Sequence, residues 1–329
     1  MENSATYDKT ISVLICTSPK AGNGSGRERI AELIDALRAS DIAAEVTTDI
    51  AYVRQRTRRD ALANQPPTIV VAAGGDGTLA LVAKNTPPAT VLVPMPLGTE
   101  NLVAKQFGYS PKVDSMLDTL LRGHDHAIDA GQANGKLFLV MATCGFDAEV
   151  VRAMHLRRRG HINRFSYLRP ILRTVRRYSF PPLHVRWTIS AEPALGSAED
   201  IPQPDISLAD ITRPDITCAD ITCSWAMVFN LPQYAASLPI ETAAVGDDGQ
   251  LDFCGLENGS VISGLRYLGG IITRRHIHWP DVTRQRVFSC RITSPARVAY
   301  QLDGDYGGHL PLELRVLPKH ITLRLPPRP

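Results

Sequence analysis

Residues 68–78 read TIVVAAGGDGT. The first six are apolar, β-branched or small and uncharged, which predicts a short buried strand, Thr68–Ala73. Gly74, Gly75 and Gly77 then end the run, and a helix follows from about Leu79. The same strand–turn–helix order repeats on either side. Upstream, Ile11–Cys16 (ISVLIC) predicts a strand and Thr17–Gly26 (TSPKAGNGSG) a small-residue loop. Ile30, Leu33, Ile34 and Leu37 then recur at helical spacing, predicting an amphipathic helix over 27–39. Ala44–Thr48 predicts a second strand and Tyr52–Ala63 a polar, Arg-rich helix. Downstream, Val91–Pro96 is a fourth strand, followed by Leu97–Asn101 (LGTEN) and a helix through Phe107. Strands alternating with helices predict an α/β fold with a parallel, doubly wound sheet.

After about residue 128 the pattern changes. Short strand-like runs occupy Lys136–Thr143, Leu183–Ser190, Ser224–Asn230, Gln250–Cys254, Arg286–Thr293, Arg297–Leu302 and His320–Leu325, with one helical interlude at 161–178. This predicts two domains, 1–128 and 129–329, the second a β-rich sandwich or barrel. Asp-Ile recurs at 200, 205, 210, 215 and 220. Five such units are too few to stack into a stable coil. The segment 199–222 reads instead as a surface insertion in a β-hairpin.

With 44% apolar and 21% charged residues among 329, the chain has ample material for a core, and a net charge of +3 is not that of a nucleic-acid-binding polycation. The six cysteines form no C-x-x-C pair and read as reduced thiols of a cytoplasmic protein. The first ten residues carry no signal-peptide pattern. The uncharged stretch Asn85–Thr99 contains four prolines and is too short to span a bilayer.

Three glycine-bearing turns, 17–26, 74–78 and 97–101, each follow a strand. In an open parallel sheet they face one crevice at the carboxyl ends of the strands. Glycines let backbone N–H groups approach an anion, and helix N-termini add a favourable dipole. Asp76 within the second turn suits a phosphate site if Mg²⁺ lies between them. These features predict a nucleoside triphosphate site.

GGDGT at 74–78 and PLGTEN at 96–101 together resemble the diacylglycerol kinase catalytic-domain family, which includes bacterial lipid kinases and sphingosine kinases. The resemblance continues through Ile128-Asp129-x-Gly131, Asn134-Gly135-Lys136-x-Phe138, Gly145-Phe146-Asp147-Ala148, Asn230-x-Pro232-x-Tyr234 and Asp248-Gly249-x-Leu251-Asp252. It ends at Leu302-Asp303-Gly304-Asp305, similar to the family's DGE motif, with Leu310-Pro311 behind it. It implies a Rossmann-like N-terminal domain, a β-sandwich after it, and ATP with Mg²⁺ in the cleft between them. It implies a lipid hydroxyl as acceptor. The nucleotide residues it implies are Ser18, Pro19, Lys20, Ala21 and Gly22, Thr48 (or Thr47 beside it), Gly74, Gly75, Asp76, Gly77, Thr78, Thr99 and Asn101. Asp305 falls on the proton acceptor, with Asp303 in support and Asp76 organising the cation and phosphates. A further magnesium site falls on Asp248, with backbone carbonyls of Gln250 and Val245. Three positions depart from the family: Ser18 replaces Asn, Leu81 replaces Glu, and Asp305 is one methylene shorter than Glu. GGDGT is shared with NAD kinases, so a soluble acceptor is an alternative. The departures also allow a nucleotide-binding regulatory protein with little turnover.

The stretch 150–191 contains no Asp or Glu and ten arginines, from Arg152 to Arg186. Within it 152–177 reads either as a surface for anionic membrane or as a helix packed on the β domain with solvated arginines. No aromatic series supports nucleic acid. The pairs His124/His126 and His276/His278 lack carboxylates or cysteines at ligand spacing and read as satisfied surface or loop histidines. The motifs specify neither oligomeric state nor the particular lipid.

Overall fold

The computed structural model describes residues 11–18, 24–63, 68–155, 174, 178–189, 218–234 and 237–327. The alternating first part forms as the sequence predicts. Strands β1 (Ser12–Thr17), β2 (Ala43–Thr47), β3 (Thr68–Gly74) and β4 (Val91–Pro96) lie parallel in the order β2-β1-β3-β4. Helices α1 (Gly24–Ala39), α2 (Ile50–Ala63), α3 (Asp76–Asn85), α4 (Leu102–Phe107) and α5 (Val113–Arg122) connect and cover them. Successive side chains of a strand point to opposite faces. Val13, Ile15, Ile69, Val71 and Ala73 therefore pack with Leu33 and Leu37 of α1 and Met116 and Leu120 of α5. Their neighbours Leu14, Cys16, Val70 and Ala72 pack with Val53 of α2 and Leu79 and Val82 of α3. Every residue of β3 is buried, which is why its sequence is a continuous apolar run.

The later strands are β5 (His124–Ala133), β6 (Lys136–Phe138), β7 (Met141–Cys144), β8 (Leu183–Thr188), β9 (Cys218–Cys223), β10 (Trp225–Phe229), β11 (Leu251–Leu256), β12 (Val282–Val287), β13 (Ser289–Thr293), β14 (Ala299–Leu302), β15 (Asp305–His309) and β16 (Leu312–Leu325). One antiparallel sheet runs β12-β11-β10-β7-β14-β15. It packs on β8, β13 and the first half of β16 around Phe138, Trp187, Val228, Phe253, Cys290 and Leu314, making a sandwich.

Strand β16 joins the two halves. Its first part pairs antiparallel with β13, its end pairs parallel with β4, and along its length it pairs antiparallel with β5. The parallel sheet is thus completed by the last strand of the chain, an arrangement that sequence pattern does not reveal.

The run 136–143 breaks at Leu139-Val140 into β6 and β7, and 286–293 breaks at Phe288. Two helices beyond residue 128, α6 (Phe146–His155) and α7 (Val261–Ile272), have no counterpart among the elements the sequence pattern predicts. Of the helix expected over 161–178 only Thr174 and Tyr178 are described, the Tyr178 N–H donating to the Thr174 carbonyl (2.8 Å), and most of the basic run lies outside the described residues; Arg152 belongs to α6, where it pairs with Glu149 at 2.7 Å. Of the Asp-Ile repeat, only the last unit is described. Asp220 and Ile221 sit in β9, which pairs antiparallel with β8 across the insertion. His276 is a correction: it is buried, with Nε2 2.8 Å from the Ile240 carbonyl and Nδ1 3.3 Å from that of Gly270. His126 pairs with Asp247 at 3.1 Å. Five cysteines, at 16, 144, 223, 254 and 290, are buried free thiols. No helix among the described residues is long and apolar enough to cross a membrane.

Leu323 of β16 is fully buried, whereas Leu81 on α3 is exposed. Leu323→Ala is expected to lower the urea-unfolding free energy by about 2–5 kcal/mol. Leu81→Ala should change it by no more than about 0.5 kcal/mol.

Candidate active site

The parallel register places the ends of four strands on one edge. Cys16 lies beside Thr47, Thr17 beside Ala73, and Gly74 beside Pro96. Ser18, Thr48, Gly75 and Leu97 are therefore the next residues outward along four neighbouring strands. Pro19, Lys20, Ala21 and Gly22 lie outside the described residues. Thr47 Oγ accepts the Asp49 N–H (3.0 Å), while Thr48 is exposed.

The two glycine turns touch. A Cβ on Gly98 would lie 2.6 Å from the Gly75 Cα, so only glycine permits this approach. The Leu97 N–H donates to the Gly74 carbonyl (2.9 Å). Asn101, at φ 51, closes the second turn: its Oδ1 accepts the Gly98 N–H (3.0 Å) and its Nδ2 donates to the Gly98 carbonyl (2.9 Å). Thr78 packs its side chain against Gly74, and Thr99 is exposed at the tip of the other turn.

Asp76 ties the turns together. Its carboxylate oxygens accept the Leu102 N–H (2.8 Å) and the Val103 N–H (3.0 Å), the first donors of α4. An anion at a helix N-terminus is favoured by both hydrogen bonding and the dipole. Burial raises the Asp76 pKa, and the two N–H groups oppose that rise. Helix α3 itself starts at Asp76 behind Gly75, which has no side chain to cap it, and the Thr78 N–H donates to the Gly75 carbonyl (2.9 Å).

The third part arrives from the sandwich. Asp303 (φ 50) and Gly304 (φ 86) make a two-residue turn between β14 and β15, the hairpin that an Asp-Gly pair favours. The Asp303 carboxylate turns inward and accepts the N–H groups of Leu139 (2.7 Å), Val140 (2.8 Å) and Met141 (2.9 Å). Burial pushes its pKa up to about 6 against the pull of those donors. Asp305, two residues on, reaches the GGDGT turn: a Cβ on Gly77 would lie 3.5 Å from Asp305 Oδ2. Asp76, Asp303, Asp305 and both glycine turns thus converge.

Motifs that carried no assigned role support this hairpin. Gln301 Oε1 accepts the Gly304 N–H (2.6 Å), and its Nε2 donates to Thr143 Oγ (2.9 Å). Thr143 in turn donates to Asp147, which also accepts the Tyr234 hydroxyl (3.1 Å). Burial raises the pKa of both Asp147 and Tyr234. Asn230 donates to the carbonyls of Asp129 (2.9 Å) and Leu139 (2.8 Å), bracing the segment that Asp303 binds.

Asp248 lies on a different loop. Its Oδ1 accepts the Gln250 N–H (3.1 Å) and its Oδ2 faces Arg286 at 3.5 Å, while Val245 is exposed nearby in sequence. Asp252 Oδ2 is buried without a hydrogen-bond partner, which suits a cation; the guanidinium of Arg286 competes for the same carboxylates. At the glycine turns, the oxygens of Asp76 and Asp303 already accept backbone N–H groups. No cluster of three metal-ligating side chains occurs among the described residues. This donor set fits a magnesium ion held largely by phosphate and water rather than by an all-protein cage.

Residues 12–133 match the family described as diacylglycerol kinase catalytic domain, and residues 140–325 match the YegS C-terminal NAD kinase beta sandwich-like domain. The chain belongs to the diacylglycerol kinase catalytic-domain family. A protein of Pseudomonas aeruginosa PAO1 described as a probable lipid kinase YegS-like is 38% identical over 147 residues, 44% of this chain and 47% of that protein. One of the same description from Pseudomonas fluorescens Pf-5 is 37% identical over 134 residues, 39% of this chain and 44% of that protein. The chain spans about half the length of these curated relatives in the aligned stretch. The family fold is also that of a putative diacylglycerol kinase from Bacillus anthracis, with a TM-score of 0.65 at 19% identity, covering 96% of this chain and 98% of that one.

Asp303 gives a pH signature. Its folded pKa of about 6 exceeds the ordinary value of about 3.9, so the folded state retains a proton that the unfolded state loses between them. The associated stability is full below about pH 4 and is lost as pH rises through about 6. Urea unfolding of wild type and Asp303→Asn is expected to show a stability difference that shifts against wild type as pH rises from about 5 to 7. A pH-independent difference would contradict the assignment.

Proposed function

We propose that this protein transfers the γ-phosphoryl group of ATP to the hydroxyl of a lipid. The triphosphate lies in the cleft between 1–128 and 129–329, along the edge at Ser18, Thr48, Gly74–Thr78 and Thr99, with Pro19–Gly22 assigned to it from the family resemblance alone. The observation that carries this reading is the approach of Asp305 to Gly77: a carboxylate from the sandwich meets the glycine turn of the parallel sheet. Asp305 accepts the proton of the acceptor hydroxyl. The hydroxyl oxygen forms a bond to the γ-phosphorus as the bond to the β-phosphate oxygen breaks, and ADP leaves. Magnesium bound with the triphosphate supplies charge neutralisation. Asp76 and Asp303 are positioning residues: one fixes α4 beside the phosphate edge, the other fixes the hairpin that bears Asp305. Asp248, with the carbonyls of Val245 and Gln250, is proposed as a separate structural cation site, supported by the unpartnered oxygen of Asp252.

The lipid acceptor is supported by the lipid-kinase description of the Pseudomonas relatives and by PLGTEN at 96–101. Contact with anionic membrane through 152–177 accompanies this reading. The NAD kinase-like description of residues 140–325 favours a soluble acceptor as the second reading. Radiolabelled ATP offered with mixed lipid vesicles and, separately, with NAD decides between them. Labelled lipid and no labelled NAD phosphate is the expected result; the reverse sinks the lipid reading. Asp305→Asn is expected to lower lipid phosphorylation by about 10²-fold or more while retaining ATP binding. Near-wild-type turnover would remove Asp305 as the base.

A further inference from the structure

Helix α7 carries an aliphatic face that no other element covers among the described residues. Ile262, Leu265 and Ile272 are 80%, 66% and 61% exposed, and Val261 and Leu268 are also exposed. At 3.6 residues per turn these five positions, with Gly269, fall within about 120° of the helix circumference. The opposite face is firmly held. Tyr267, Gly270 and Ile271 are buried, Gly264 and Gly270 pack against Trp225 and Trp279, and the Tyr267 hydroxyl donates to Asp281 (2.7 Å). Ser260 caps the first turn by accepting the Ser263 N–H (3.0 Å). The outward side chains therefore belong to a rigid helix and not to a loosely packed core.

Charge is arranged around this face. Arg274, at φ 56, ends the helix and leaves Arg274 and Arg275 exposed beside Ile272. No Asp or Glu occurs from 258 to 280. Arg266, on the flank, is occupied by Asp281 and stacks on Trp279. We propose that α7 seats the protein on an anionic lipid surface, with its aliphatic face in the headgroup boundary and Arg274 and Arg275 on lipid phosphates. An apolar helical face flanked by basic residues is the form that lies in such an interface. A second copy of this chain fits less well. Five aliphatic side chains give a stripe of a few hundred Å², short of the roughly 800 Å² per partner of a stable interface. The copy's own α7 also brings no carboxylate to meet the arginines. The inference rests on α7 and its flanking arginines alone, whatever the acceptor.

The test is flotation without ATP on vesicles of phosphatidylcholine alone and of phosphatidylcholine with phosphatidylglycerol. Wild type is expected to float with the anionic vesicles. The combined variant Ile262→Ser, Leu265→Ser, Ile272→Ser should lose at least about tenfold in partitioning. Arg274→Ala with Arg275→Ala should lose about tenfold on anionic vesicles and leave a salt-insensitive remainder. Thermal unfolding, read from the tryptophans behind the helix, checks that each variant folds. Should the serine variant misfold, Leu265→Trp replaces it, and its emission is expected to shift to the blue on adding anionic vesicles. The proposal is overturned if wild type floats with neither vesicle, if the folded serine variant floats as wild type does, or if the added tryptophan's emission stays unmoved. Light scattering that shows a wild-type dimer turned into a monomer by the serine substitutions, with flotation retained, also overturns it. Because no phosphoryl transfer is read, failure here leaves the kinase reading standing, and failure of the kinase assay leaves this one standing.

Discussion

The Asp303 carboxylate accepts three consecutive backbone N–H groups, from Leu139, Val140 and Met141, where the chain passes from β6 in one sheet to β7 in the other. A buried N–H without an acceptor costs about 1–3 kcal/mol, so a sheet-to-sheet crossing needs an acceptor supplied from elsewhere. Asp303 supplies it from a hairpin turn, and the same turn delivers Asp305 to Gly77. The device that lets the sandwich form therefore also sets the distance between the two parts of the cleft. Asp76 does the equivalent work on the other side by holding the N-terminus of α4. Each aspartate is spent on backbone, and this leaves Asp305 as the carboxylate displayed over the glycine turn.

How legible a segment is in the sequence follows from how many of its faces are buried. Strands β1, β3 and β4 are covered on both sides by helices, so their apolar runs stand out. Strand β5 reads HDHAIDAGQA, with a single β-branched residue; it is a strand because β16 pairs along it, a tertiary cause with no local signal. Helix α7 is obscured in the sequence for the opposite reason. VISGLRYLGGII is apolar on its exposed face as well as on its buried one, and its three glycines disfavour a helix, so it lacks the polar outer face that marks a surface helix. The break at Leu139-Val140 is likewise invisible, because those residues are as apolar as the strands that flank them.

In the candidate site, the motifs named the residues that converge but not the direction in which their side chains point. Asp303 and Asp305 are two residues apart, yet one is turned into the protein and the other is exposed. Only the positive φ values at Asp303 and Gly304 decide that, and an Asp-Gly pair hints at the turn without fixing its side chains. The chain Gln301–Thr143–Asp147–Tyr234 shows how a motif without assigned chemistry can matter: it stiffens the base of the hairpin that carries Asp305.

The pairing of β16 with β4 also has a temporal side. During synthesis, β4 leaves the ribosome long before residues 312–325 exist. At roughly 5–20 residues per second, the interval is on the order of ten to forty seconds. Throughout it the β4 side of the sheet is an unpaired edge of the kind that invites pairing with another chain. The nascent polypeptide is thus most open to mispairing at the very strand that its own end later covers.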